Sequence, residues 1–189
     1  MKPLIGLVVT MGLFFGCNGN SKSSTETTKA TQAMDEAVFD STTGAVKKDT
    51  DIKAGKTGVV MSIPEGTVLQ DTEGNSITKA PTLAVKTEKD AKEAKTTVDF
   101  TVDGKKVIPT EPVVISIPAP KGAKPGDEVE IEVPDDGSIS KKSLESKIQQ
   151  KLVLFIVNAN GTIDIRVFPN AFKNQLVLVV VIKTDNSTN

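Results

Sequence analysis

Apolar residues in this chain fall at alternate positions, in short runs that repeatedly stop at a proline, and this pattern restricts the fold more than any other feature. In "GVVMSIPEG", Val59, Met61 and Ile63 share one face before Pro64. In "TTVDFTVDG", Val98, Phe100 and Val102 oppose Thr97, Asp99 and Thr101. Val113, Ile115 and Ile117 repeat the pattern, as do Val129, Ile131 and Val133, with Glu128, Glu130 and Glu132 on the other face. A period of two is that of a strand with one face buried and one in water. Pro64, Pro109, Pro118, Pro134 and Pro169 each follow an apolar run. Proline cannot donate to a ladder, so it belongs at strand ends and edges. About eight or nine strands with turn signals between them predict an all-β fold, an antiparallel Ig-like β-sandwich. Asp103-Gly104 predicts a tight hairpin turn, and Asn160-Gly161 predicts another between "KLVLFIV" and "TIDIRV".

One or two short helices are expected beside the strands. "EKDAKEAK" reads as a charged turn or two of helix, and "SKKSLESKIQQ" places Leu144 and Ile148 four residues apart on one stripe. The runs Leu152–Val157 and Leu176–Ile182 are apolar on both faces, so something must cover the second face. The expectation is cover from the chain itself, by the Leu144/Ile148 helix or the Val38-Phe39 segment, rather than by a partner. The segment Met34–Val46 fits either an edge strand pair or an extended lead-in.

The first residues follow a different logic. Lys2 is a short positive region, Leu4 to Phe15 is an apolar run of about a dozen residues, and Gly16 is small. This is the layout of a secretory signal peptide. It is shorter than the roughly 20 apolar residues a membrane-spanning helix needs. Cys17, the chain's one cysteine, follows directly. A junction of small residue and cysteine resembles the lipobox of bacterial lipoproteins. Gly16 and Cys17 fit it, whereas Phe14 and Phe15 depart from its usual residues. The resemblance implies cleavage before Cys17, lipidation of its thiol as a thioether and a membrane anchor. A thiolate is a good nucleophile for that attachment, and two or three acyl chains hold far longer than one. An aspartate after the cysteine resembles an inner-membrane retention signal in diderm bacteria. Asn18 stands there instead, which implies the outer membrane.

The organisation expected is therefore a signal peptide over 1–16, a lipidated flexible tether over 17–33 and a β-sandwich over 34–189. The tether assignment rests on "NGNSKSSTETTKATQ", which is polar and without apolar period.

Composition narrows function further. The chain has 189 residues, a net charge of −1 and no basic block, so nucleic acid is not an expected partner. It has 0 His, which removes the commonest general base and metal ligand. A Ser-His-Asp triad and a His-based zinc site are impossible. Ser138 with Lys141, and Ser143 with Lys147, have Ser-Lys spacing, but they lie in a stretch where chance supplies it. No enzyme activity and no cofactor are expected. With 0 Trp and 0 Tyr, ring stacking on a sugar would fall to phenylalanine. The oxygen-rich segments "DTEGNS", "PDDGS" and "NANGTID" read as turns. If one holds a cation it is "PDDGS", through Asp135 and Asp136, although the spacing matches no regular calcium loop.

Two segments carry a second resemblance. Gly58, Ile63, Pro64, Glu65 and Gly66, with Thr67 where alanine is usual, precede Pro112, Val113, Ile115, Ile117 and Pro118 by about fifty residues. Together they resemble the β-sandwich domain of ankyrins, netrin receptors and tight-junction scaffolds. The resemblance spans roughly Gly55 to Pro118 and implies a non-enzymatic interaction domain, with no binding residue carried over. The resulting expectation is an envelope lipoprotein whose β-sandwich is a structural or protein-interaction module, partnered by the membrane through its anchor and by an envelope or surface protein. The alternative is a surface ligand-binding lipoprotein, an adhesin or a glycan-associated accessory protein.

Overall fold

A computed structural model of the chain describes residues 25–132 and 152–182. The strands are β1 (Glu26–Ala33), β2 (Thr50–Lys53), β3 (Val60–Ile63), β4 (Leu69–Gln70), β5 (Thr82–Lys89), β6 (Glu93–Val102), β7 (Lys105–Lys106), β8 (Ile108–Pro109), β9 (Val113–Pro118), β10 (Glu128–Glu132), β11 (Leu152–Ile156), β12 (Thr162–Val167) and β13 (Leu176–Ile182). The large sheet has the order β1-β5-β6-β13-β10-β11, with β7 added to β6. The second sheet has the order β12-β9-β3-β2, and β4 pairs with β8 in a small ribbon. Every pairing is antiparallel.

The expected sandwich forms because each run buries its apolar set in one shared core. Met61, Ile63, Ile115, Ile117, Ile163 and Ile165 from the second sheet join Leu83, Phe100, Ile131 and Leu178 from the large one. Each is nearly inaccessible to water. The two runs of the second resemblance, β3 and β9, are neighbours, with Met61 opposite Ile115. Pro64 follows β3, Pro109 ends β8 and Pro118 ends β9, so these three prolines stand at strand ends, while Pro169 opens a 3-10 turn after β12 and Pro134 lies outside the described residues. Asp103 and Gly104 both take positive φ, 48° and 78°, and Val102 pairs with Lys105 across them as a tight hairpin.

Four expectations are corrected. The segment "EKDAKEAK" is not helical. It closes β5, turns at Asp90 and opens β6, with Lys89 opposite Ala94. Asp90 drives the turn by accepting the backbone N–H of Lys92 at 2.8 Å and of Glu93 at 2.9 Å. Gly122 seats a second loop there, because a Cβ at this position would collide with the Ala91 carbonyl. Among the described residues no α-helix occurs, only 3-10 turns at Glu36–Val38, Gly55–Thr57 and Pro169–Lys173.

The polar tether expected over 17–33 is not all tether. Glu26–Ala33 is an edge strand paired along its whole length with β5, from Glu26 opposite Lys89 to Ala33 opposite Thr82. The physical reason is that an edge strand outside the core needs little apolar surface. Ala30 alone packs against the hydrophobic core. The Asn160-Gly161 turn does not join a hairpin either: β11 lies in the large sheet and β12 in the second, so the turn passes the chain between sheets. Lastly, Val38 and Phe39 are buried, but they pair with Lys47 and Val46 and so do not form a cover laid across β13.

The core contains a polar flaw. Thr87 and Thr96 stand opposite each other across β5 and β6, both buried, and neither hydroxyl has a hydrogen-bond partner. An unpaired buried hydroxyl costs about 1–3 kcal/mol. Thr96→Val keeps the shape and removes the hydroxyl, so the expected result is a gain of about 1 kcal/mol in urea melts. A loss of that size would mean the hydroxyl is satisfied.

Candidate functional site

Of the site residues expected from sequence, Cys17, Asp135 and Asp136 lie outside the described residues, as do Leu144, Ile148 and the Ser-Lys spacings. The other two oxygen-rich loops are turns in the structure. Asp71 accepts the backbone N–H groups of Glu73 and Asn75, each at 2.9 Å. These bonds, that of Asn75 first, hold its carboxyl below the usual carboxylate range. Asn160 caps its own turn by accepting from the Thr162 hydroxyl at 2.7 Å. Among the described residues no group of three Asp, Glu, His or Cys side chains is placed to share a metal ion.

A shallow groove of about 390 Å³ runs between the end of β1 and the start of β2. Met34, Val38 and Ile52 supply its apolar lining. Its carboxylates serve the fold: Asp49 accepts the Glu65 N–H at 2.9 Å, and Asp51 accepts the Ser62 hydroxyl at 2.7 Å. Asp35, the third carboxylate of the lining, accepts the Ala37 N–H at 2.9 Å, so all three are engaged within the fold.

The more unusual surface is the outer face of the large sheet over β13, β10 and β11. The inner face of β13 buries Leu176, Leu178 and Val180. Its outer face carries Val177 and Val179, both half-buried, and Val181, which is 37% exposed. Register sets the neighbours: Val181 lies opposite Glu93 on β6 and Glu130 on β10. Glu130 lies opposite Leu154, and Glu128 opposite Ile156. Ile156 is 63% exposed, the highest value among the exposed large hydrophobic residues of the described part. The surface is therefore an apolar strip interleaved with glutamates. It ends at β11, an edge strand whose residues are all apolar. Sequence reasoning found the two strands with apolar second faces, but it could not tell which neighbours they would meet.

The same face is braced on its other side. β13 and β7 share one edge of β6, and Asp99 sits at their junction, accepting from the Lys106 ammonium and from the Gln175 side-chain amide at 2.5 Å. Partial burial pushes the Asp99 carboxyl up, but the hydrogen bonds from Lys106 and Gln175, with the Lys106 charge, outweigh it and hold the carboxyl below its ordinary value. A depressed carboxylate contributes stability above its unfolded pKa and loses it as pH falls through the folded value. Asp99→Asn is expected to cost about 1 kcal/mol at neutral pH, a modest value because the pair is partly solvated. The difference from wild type should vanish in acid. A cost independent of pH would assign the effect to packing instead.

Compared with protein-family models, with curated proteins and with solved structures, the chain matches none.

Proposed function

We propose that the protein is a lipid-anchored lipoprotein of the bacterial envelope, held at the outer membrane through Cys17, whose β-sandwich is a non-catalytic structural or protein-interaction module. The Gly16-Cys17 junction behind an apolar run supports the anchor. The observation that carries the interaction reading is the gathering of exposed Ile156 and Val181 with half-buried Leu154 among glutamates on one sheet face, because apolar side chains left exposed together mark interaction sites.

Because β1 begins at Glu26, the segment from Cys17 to Thr25 is all that separates the anchor from the first strand. Nine residues reach at most about 30 Å however they are arranged. The sandwich is thus kept close to the lipid surface.

Mass spectrometry of the mature N-terminus tests the anchor. The expected species begins at a lipidated Cys17, and Cys17→Ser should release or mislocalise the protein. A mature chain that starts at another, unmodified residue would remove the lipoprotein reading.

A further inference from the structure

No residue of β1 is buried: Thr28 and Ala30 are half-buried and the other six are exposed. Among the described residues, every buried hydrophobic side chain lies from Met34 onward, so β1 supplies none of the buried core. Its backbone ladder to β5 fastens it, with the contact of Ala30 against the core beside the Gly55–Thr57 turn and an ion pair from Glu26 to Lys121 at 2.8 Å. Both side chains of that pair are about half exposed, so water weakens it. One register position works against docking. Lys29 lies directly opposite Lys86, and a single carboxylate, that of Glu88 bonded to Lys86, stands against the two lysines.

The fastening changes abruptly at Met34. Its side chain is 3% exposed, and its N–H donates to the Pro81 carbonyl at 2.8 Å. Asp35 then caps the Glu36–Val38 turn, and Val38 and Phe39 are buried. From this boundary we propose that β1 is a detachable strap: it undocks from β5 as one unit, up to a stop at Met34, while the rest of the sandwich stays folded. Ala30 is its apolar catch on the core. Once Ala30 lifts, the exposed residues Thr31, Gln32 and Ala33 are held to β5 by backbone bonds alone. A segment with few buried apolar contacts opens at a lower free energy than the whole fold.

On the reading that Cys17 is anchored, the strap gives the tether two lengths. With β1 docked, the stretch from Cys17 to Thr25 reaches at most about 30 Å. With β1 released, the stretch from Cys17 to Ala33 reaches at most about 60 Å. A pull between membrane and sandwich arrives first at Glu26 and breaks the ladder from that end. When the pull ends, the ladder re-forms and draws the sandwich back. The same anchored domain therefore meets partners at up to about twice the distance from the bilayer that the docked tether allows.

Native-state hydrogen exchange on the full chain in detergent, followed residue by residue, tests the undocking. β5 is its own control, because its backbone bonds β1 on one side and β6 on the other. The amides that join β1 and β5 should share one rate, at least about 100-fold faster than the β5 amides bonded to β6. With Cys17 changed to serine, Thr31→Cys paired with Ala84→Cys should slow the shared class at least about tenfold when oxidised, relative to the same protein reduced. Equal rates for the two classes of β5 amide would show that β1 leaves only when the whole fold opens. Rates that fall steadily from Thr27 to the β6 value at Gln32 would show mere fraying of the end. Either result, or a lock that slows nothing, would overturn the proposal. These rates do not depend on lipidation, so failure of the Cys17 mass measurement alone would remove the change of reach and leave the undocking in place.

Discussion

Phe100→Ala is expected to lower stability by about 3–5 kcal/mol, the range for removing a buried phenylalanine. Phe100 is 2% exposed on the inner face of β6, opposite Leu83 of β5. Its ring meets Phe172 edge to face, with centroids 6.2 Å apart and planes at 67°. Such a contact adds about 0.5–1.5 kcal/mol beyond burial. Phe172 belongs to the Pro169–Lys173 turn, which carries the chain from β12 in the second sheet to β13 in the large one. The ring pair therefore ties the crossing between sheets to the core. Urea melts of Phe100→Ala, Phe172→Ala and the double variant should show losses that do not add, because each single change already breaks the pair. A loss below 1 kcal/mol for Phe100→Ala would mean that the turn is not seated on the core.

Removing β1 is the second large effect. A chain beginning at Met34 should be on the order of 2–4 kcal/mol less stable than one beginning at Thr25. The loss combines a full ladder of eight residue pairs with the cover β1 gives to the turn at Gly55–Thr57. The ordering entropy of the strand offsets part of the gain, which keeps the figure modest. β5 would become the new edge, with Leu83 and Val85 on its inner face. Equal denaturation midpoints for the two chains would contradict the assignment of β1.

Why β1 escaped the sequence pattern is physically plain. Apolar alternation reports strands that supply the core, and it identified β3, β6 and β9 with their inward residues, and β10 through Val129 and Ile131, Val133 lying outside the described residues. Glu26–Ala33 supplies almost nothing to the core. Its order comes from backbone pairing with β5, and backbone groups leave no mark on composition. The charged "EKDAKEAK" segment misled for a related reason. Its helix-favouring residues weigh less than the burial of Ala94 and the turn made by Asp90. The Asn160-Gly161 turn shows a third limit, since a turn sequence fixes a local reversal but not the sheet that receives the next strand. For the candidate surface, the runs of β13 and β11, apolar on both faces, were legible. Their position at one end of the large sheet, beside Glu93, Glu128 and Glu130, depended on long-range register.

The closing of the large sheet by a polar N-terminal strand is tested most directly by a cross-strand disulfide between Thr31 and Ala84, which lie opposite each other in β1 and β5. Opposed residues of an antiparallel pair have Cα atoms about 4.5–5.5 Å apart, within disulfide range. With Cys17 changed to serine, Thr31→Cys with Ala84→Cys should oxidise to a single intramolecular disulfide and keep the native circular dichroism. Thr31→Cys with a cysteine at Ser62, on the outer face of the second sheet, should stay reduced. Free thiols in the first pair under the same oxidant, or equal oxidation of both pairs, would contradict the sheet order and the register of β1.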